Sequence, residues 1–141
     1  GLLDIVAGEE HVEWGADPQF AAYVRLAWFE NPGDPREEPW VMHVIDTIRS
    51  PHSLAIADLD GDGQEEIVCG EHNPFKPYRA RPKVYVYKRT EPAGSAWSRH
   101  VTDDRFDNHV GTRLIKLASG NLGIISHGWM EPHYVHLWEP D

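Results

Sequence analysis

One repeat offset constrains this chain more than any other feature. Trp40 and Trp97 lie 57 residues apart, and the same spacing separates His43 from His100, Asp46 from Asp103, His52 from His109, and Ile67 from Ile124. Five pairs at one offset, with no gap, mark a supersecondary unit written more than once; such a unit buries its apolar face by stacking on a copy of itself. An earlier copy emerges when Asp4-Ile5-Val6-Ala7-Gly8-Glu9 is laid on Glu66-Ile67-Val68-Cys69-Gly70-Glu71, at an offset of 62. Three units follow, over residues 1–50, 51–107 and 108–141.

Each unit reads as four short strands. In the middle copy they run from Ser53 to Asp58, Glu66 to Gly70, Lys83 to Arg89 and Trp97 to Thr102, separated by segments rich in Asp, Gly, Pro and Asn. The run Lys83-Val84-Tyr85-Val86-Tyr87-Lys88 is β-branched and aromatic, which suits a pleated, half-buried surface. Its counterparts are Val24 to Phe29 and Tyr134 to Trp138. No window holds a helical period. Four-stranded units of this length in tandem predict an all-β fold, a partial β-propeller of about three blades with the outer two incomplete. Such a chain is either part of a longer one or a homo-oligomer that closes its ring by association.

Composition narrows the partners. With 13 Lys+Arg against 23 Asp+Glu the formal charge is -10, and no basic run occurs, which disfavours nucleic acid and anionic lipid and favours a cation or a neutral polyol. No apolar stretch is long enough to span a membrane, and no charged-then-apolar leader opens the chain. Cys69, the single cysteine, lies in an apolar run and reads as a small buried hydrophobe.

The segment Asp58-Leu59-Asp60-Gly61-Asp62-Gly63-Gln64-Glu65-Glu66 sets carboxylates at positions 1, 3, 5 and 9 of a tight loop. Calcium takes six to eight oxygens, and alternate residues of such a turn can aim theirs at one centre. Asp58, Asp60 and Asp62 are expected to give side chains, Gln64 its backbone carbonyl and Glu66 a further carboxylate. The loop is not a full EF-hand, because position 12 is Cys69. In the third copy the aligned residues are Ile115, Leu117 and Ser119, so that blade is expected to hold no calcium.

These residues resemble the FG-GAP or VCBS repeat, in which a DxDGDGxxD loop joins the first two strands of a blade; here Glu66 stands for the final Asp. The Gly-Glu strand ends and the Trp-x-x-His elements at Trp40/His43 and Trp97/His100 extend the likeness along the chain. The resemblance implies that calcium staples a loop, and it implies an extracellular or periplasmic protein. The segment is also similar to the propellers of sugar lyases of the aldos-2-ulose dehydratase/isomerase type.

In a blade of this kind, the loop after strand two and the entry to strand one lie on the face near the channel. That face gathers His and Glu. His52, Glu71, His72, His109 and His127 are candidate catalytic residues, and Glu9, Glu10, His11, Asn73, Trp129 and His133 candidate substrate contacts. Imidazoles and carboxylates converging from different blades can bind a second divalent metal or move protons near neutral pH. Trp129 and Trp14 offer flat faces to a sugar ring. His43 and His100 read as packing residues, and the recurrence of His52 and His109 fits a shared structural hydrogen bond equally well. No nucleophile elbow or phosphate-binding glycine loop occurs. Three functions compete: a calcium-stabilised binding or scaffold module for carbohydrate or protein, part of a metal-dependent carbohydrate lyase or dehydratase, and a self-assembling partial propeller.

Overall fold

A computed structural model of the chain describes residues 2–10, 23–72, 81–91, 96–105, 110–128 and 134–139. Among these residues there are ten strands and no helix, arranged as three antiparallel sheets. The first sheet holds β1 (Ile5–Gly8), β2 (Tyr23–Glu30) and β3 (Val41–Arg49). The second holds β4 (Pro51–Ala57), β5 (Glu66–Glu71), β6 (Val84–Arg89) and β7 (Trp97–Asp103). The third holds β8 (Val110–Lys116), β9 (Leu122–His127) and β10 (Val135–Trp138). Each strand pairs with its neighbour in sequence, so every sheet is a simple up-and-down blade. The strands of the middle blade start and stop within two residues of the positions that the turn chemistry predicts.

The register makes the repeat visible in space. Ile5 faces Phe29, Ile67 faces Tyr87, and Ile124 faces Trp138. One apolar position of strand two therefore meets one aromatic position of strand three in every blade. The middle blade is covered on both sides. Ile67 and Cys69 pack with Leu26, Ile48, Tyr85 and Tyr87 toward the first blade. Val68 and Val84 pack with Ile124 toward the third. All six residues of β5 are buried, which is why that strand reads as an unbroken run rather than an alternation. Burial drives the Cys69 thiol pKa upward, so it stays protonated and inert.

Polar staples join consecutive blades at equivalent positions. The Tyr87 hydroxyl donates to Asp46 Oδ2 at 2.9 Å, and Arg99 reaches the same oxygen at 2.9 Å. One blade further on, the Trp138 indole donates to Asp103 Oδ2 at 3.2 Å. Asp46 and Asp103 are one of the pairs 57 apart, so this recurrence records a seam between blades. Tyr87→Phe is expected to lower stability by about 1 kcal/mol through loss of one partly buried hydrogen bond, read as a shift in the urea midpoint at unchanged m. An unchanged midpoint would show that the staple contributes nothing net.

The Trp-x-x-His elements differ in their surroundings. His43 stacks on Trp28 at 4.1 Å between centroids and bonds Glu30 at 3.0 Å. His100 is exposed. The Arg89 guanidinium lies over both Trp28 and Trp97, 5.2 and 5.0 Å from their ring centres, bridging the first two blades.

Candidate functional sites at the acidic loop and the blade seam

The acidic loop joins β4 to β5. Asp58 organises it: one carboxylate oxygen accepts from the amides of Gly61 and Asp62 at 2.7 and 3.1 Å, and the other from Gly63 at 2.9 Å. Gly61 and Gly63 have φ of 78° and 88°, a region that costs other L-residues about 1–2 kcal/mol. Asp60 and Asp62 each accept from the amide two residues on, at 3.2 and 2.8 Å. Ligand atoms of Asp58, Asp60 and Glu66 all lie within 4.8 Å of one another.

Glu66 is the informative member. Its side chain is 3 % exposed; Oε2 accepts from the Leu59 amide at 2.8 Å, while the buried Oε1 meets no neutral donor among the described residues. A buried carboxylate oxygen in that state calls for a cation. The nearest is the Lys88 ammonium, 3.3 Å away, which also pairs with Asp62 at 2.7 Å and with Asp60. The oxygens of Asp58, Asp60 and Glu66 are of the chemical type that calcium takes, and the Lys88 ammonium, paired with Glu66, Asp60 and Asp62, sits as an internal cation where such an ion would compete. The Lys88 hydrogen bond holds the Asp62 carboxyl below the usual range. Sequence reasoning did not single out Lys88. The signal was there in the hairpin: Tyr87 opposite Ile67 puts Lys88 beside Glu66.

In the third blade the corresponding turn is closed by backbone bonds between Leu117 and Asn121 and between Gly120 and Leu117. The position of Glu66 is taken there by Gly123, where a Cβ would come within 3.1 Å of the Leu117 and Leu137 side chains.

The second site lies where the first blade meets the second. Gly8 approaches Pro51 so closely that a Cβ there would stand 2.3 Å from the Pro51 carbonyl oxygen. This contact carries Glu9 and Glu10 over the start of β4. The crossover residue, Ser50, has φ 33°, and the register of β4 on β5 shifts between Pro51 and Ser53. His52 is thus the extra residue of a bulge, a device that re-aims a side chain. The His72 amide donates to the Ser50 carbonyl at 3.0 Å. As a result the His52 and His72 rings lie 4.8 Å apart, and His72 Nδ1 lies 3.3 Å from Glu10 Oε1. Burial lowers the His72 pKa and the neighbouring His52 adds to this, while Glu10 opposes both.

Glu71 faces the other way. Its carboxylate accepts from the Arg49 and Lys83 amides at 3.0 and 2.9 Å and from the Tyr85 hydroxyl at 3.3 Å, with the residue 3 % exposed. Burial raises its pKa against these donors. Glu9 holds the equivalent place in the first blade, accepting from the Arg25 amide at 3.1 Å and pairing with the Arg25 guanidinium, which lowers its pKa. The backbone bonds match as well: Glu9 to Arg25, Glu71 to Lys83, and Gly128 to Tyr134. The Gly-Glu strand end therefore ties strand two to the start of strand three.

His127 is exposed on β9, its Nδ1 3.4 Å from the Gly128 carbonyl, and is not part of the Glu10, His52 and His72 cluster. His11, Trp14, Asn73, His109, Trp129 and His133 lie outside the described residues.

A cleft of about 530 Å³ opens between the first two blades, lined by Trp28, Trp97, Arg89, Gln64 and Glu65 among others. Among the described residues, none accepts from the buried indole nitrogens of Trp28 and Trp97. Among the described residues no helix is long and apolar enough to cross a membrane.

Comparison with protein families finds the FG-GAP-like repeat over residues 1–69, a span that holds the first blade, the acidic loop and most of β5. No curated protein and no solved structure matches the chain. Sheet order, the register shared by the three blades and the family match agree: the chain carries FG-GAP-type repeat sequence folded as consecutive propeller blades.

Proposed function

We propose that the chain is a calcium-stabilised binding or scaffold module that offers the cleft between its first two blades to a carbohydrate or protein ligand. The observation that carries this reading is the cleft itself. Trp28, Trp97 and Arg89 give it aromatic edges and a cation, with Gln64 and Glu65 as polar neighbours. Gln64 and Glu65 of the acidic loop form part of its wall, so a cation held by that loop stiffens the binding surface. FG-GAP-like repeats are typical of extracellular or periplasmic proteins, and calcium is plentiful in extracellular settings.

Calcium titration by calorimetry tests the metal. One site is expected, lost in Asp60→Asn and tightened in Lys88→Met, because the ion no longer has to displace the ammonium. A titration unaffected by either variant would overturn the calcium reading. For the ligand, a panel of immobilised glycans and extracellular-matrix proteins is screened in calcium and again in chelator. Binding that weakens more than about tenfold in Trp97→Ala supports the cleft, at the 1–3 kcal/mol scale of a lost aromatic contact. Binding that is indifferent to Trp97 and Arg89 sinks it.

A further inference from the structure

We infer that Glu10, His52 and His72 form a binding site for a divalent transition-metal ion of the zinc class, built across the seam of the first two blades. Ligand atoms of the three lie within 4.8 Å of one another, and Glu10 Oε1 and His72 Nδ1 are 3.3 Å apart. Bonds of about 2.0–2.2 Å in a tetrahedron put neighbouring ligand atoms roughly 3.3–3.5 Å apart, so this pair already has the needed spacing and His52 must close only a short gap. Two imidazoles and one carboxylate are borderline donors that select zinc-like ions over calcium. Three protein ligands leave a fourth position for water or a ligand group.

The site depends on three separate backbone features, each unusual for its position. Gly8 permits the approach that brings Glu10 over Pro51. The bulge between Pro51 and Ser53 re-aims His52. Ser50, the one described non-glycine residue with positive φ, accepts the His72 amide and anchors that histidine. Strained or irregular backbone of this kind is found where a side chain must be held in place. The repeat adds a further point: Glu10 and His72 occupy the same position in their respective copies, 62 residues apart, so the site uses one repeat position twice with different chemistry. It is separate from the acidic loop, whose donors are all oxygens.

The test is titration with Zn2+ alone in calcium-saturated buffer, followed by Co2+ as a visible-absorbing substitute. One zinc per chain is expected, with a Co2+ spectrum of low-symmetry, four- or five-coordinate type. His52→Gln and His72→Gln should each weaken binding by more than about tenfold, since even changes one shell further out cost that much. His100→Gln, on β7, should leave it unchanged. Glu10→Gln, an exposed position that keeps the fold, should also weaken zinc and abolish the zinc-dependent rise in Tm. Zinc binding that follows Asp60→Asn rather than the histidine variants, or no zinc binding beyond the acidic loop, overturns the assignment.

Discussion

Gly8→Ala is expected to destabilise the protein by about 3 kcal/mol or more, the upper range for forcing a methyl into a packed site. The added carbon would meet the Pro51 carbonyl oxygen at 2.3 Å and the Pro51 ring at 2.8 and 2.9 Å. Neither neighbour can swing aside, because one is backbone and the other a closed ring. A glycine replaced by alanine in a compatible site gains about 0.4–1 kcal/mol from the unfolded state, so the expected sign is opposite to the usual one. In a domain of this size the loss corresponds to a fall in Tm of roughly 6–12 °C, read by calorimetry. A Tm equal to or above that of the wild type would mean that β1 and β4 do not approach as described. Gly61→Ala and Gly63→Ala differ in mechanism. Nothing lies within 4 Å of either position, and only the positive φ opposes the change.

Glu71→Ala should rank with it. The substitution leaves the Arg49 and Lys83 amides and the Tyr85 hydroxyl without their acceptor, and each stranded buried donor costs about 1–3 kcal/mol, for a total of about 3 kcal/mol or more. Glu71→Gln keeps one acceptor oxygen and should lose less. The pH dependence of that variant has a definite sign. Because burial raises the Glu71 pKa above its unfolded value, the group's contribution is full below about pH 4 and declines as pH rises through the folded value. The deficit of Glu71→Gln relative to wild type is therefore larger at pH 4 than at pH 7. Urea unfolding at both values decides it, and a deficit that grows with pH would reverse the assignment.

Much of the architecture was legible because the repeat offset and the turn residues are local signals. The 57-residue spacing located the second and third blades, and Asp/Gly clusters marked the loop between β4 and β5. The two staples were legible only as a coincidence of spacing. Asp46 and Asp103 recur, yet nothing in their own neighbourhood points to Tyr87 and Trp138, which come from the next blade. Glu71 and Glu9 show a different limit. As neighbours of His72 and Glu10 they were grouped with them, but adjacent residues of an extended chain face opposite ways. That alternation turns Glu9 and Glu71 toward strand-three amides and leaves Glu10 and His72 together on the seam. The bulge at His52 is a further departure that no alternating pattern signals. Lys88 was readable only after the register of β5 on β6 was known.

The staples carry one more consequence. Each runs from the fourth strand of one blade to the third strand of the blade that follows, so the surface bearing the acceptor differs from the surface bearing the donor. Contacts of that kind are heterologous: they add units head to tail in a single rotational sense, and only a two-fold axis running through the contact itself would set aspartate against aspartate. Any further blade, whether in the same chain or in another, has to arrive in the same orientation as the last.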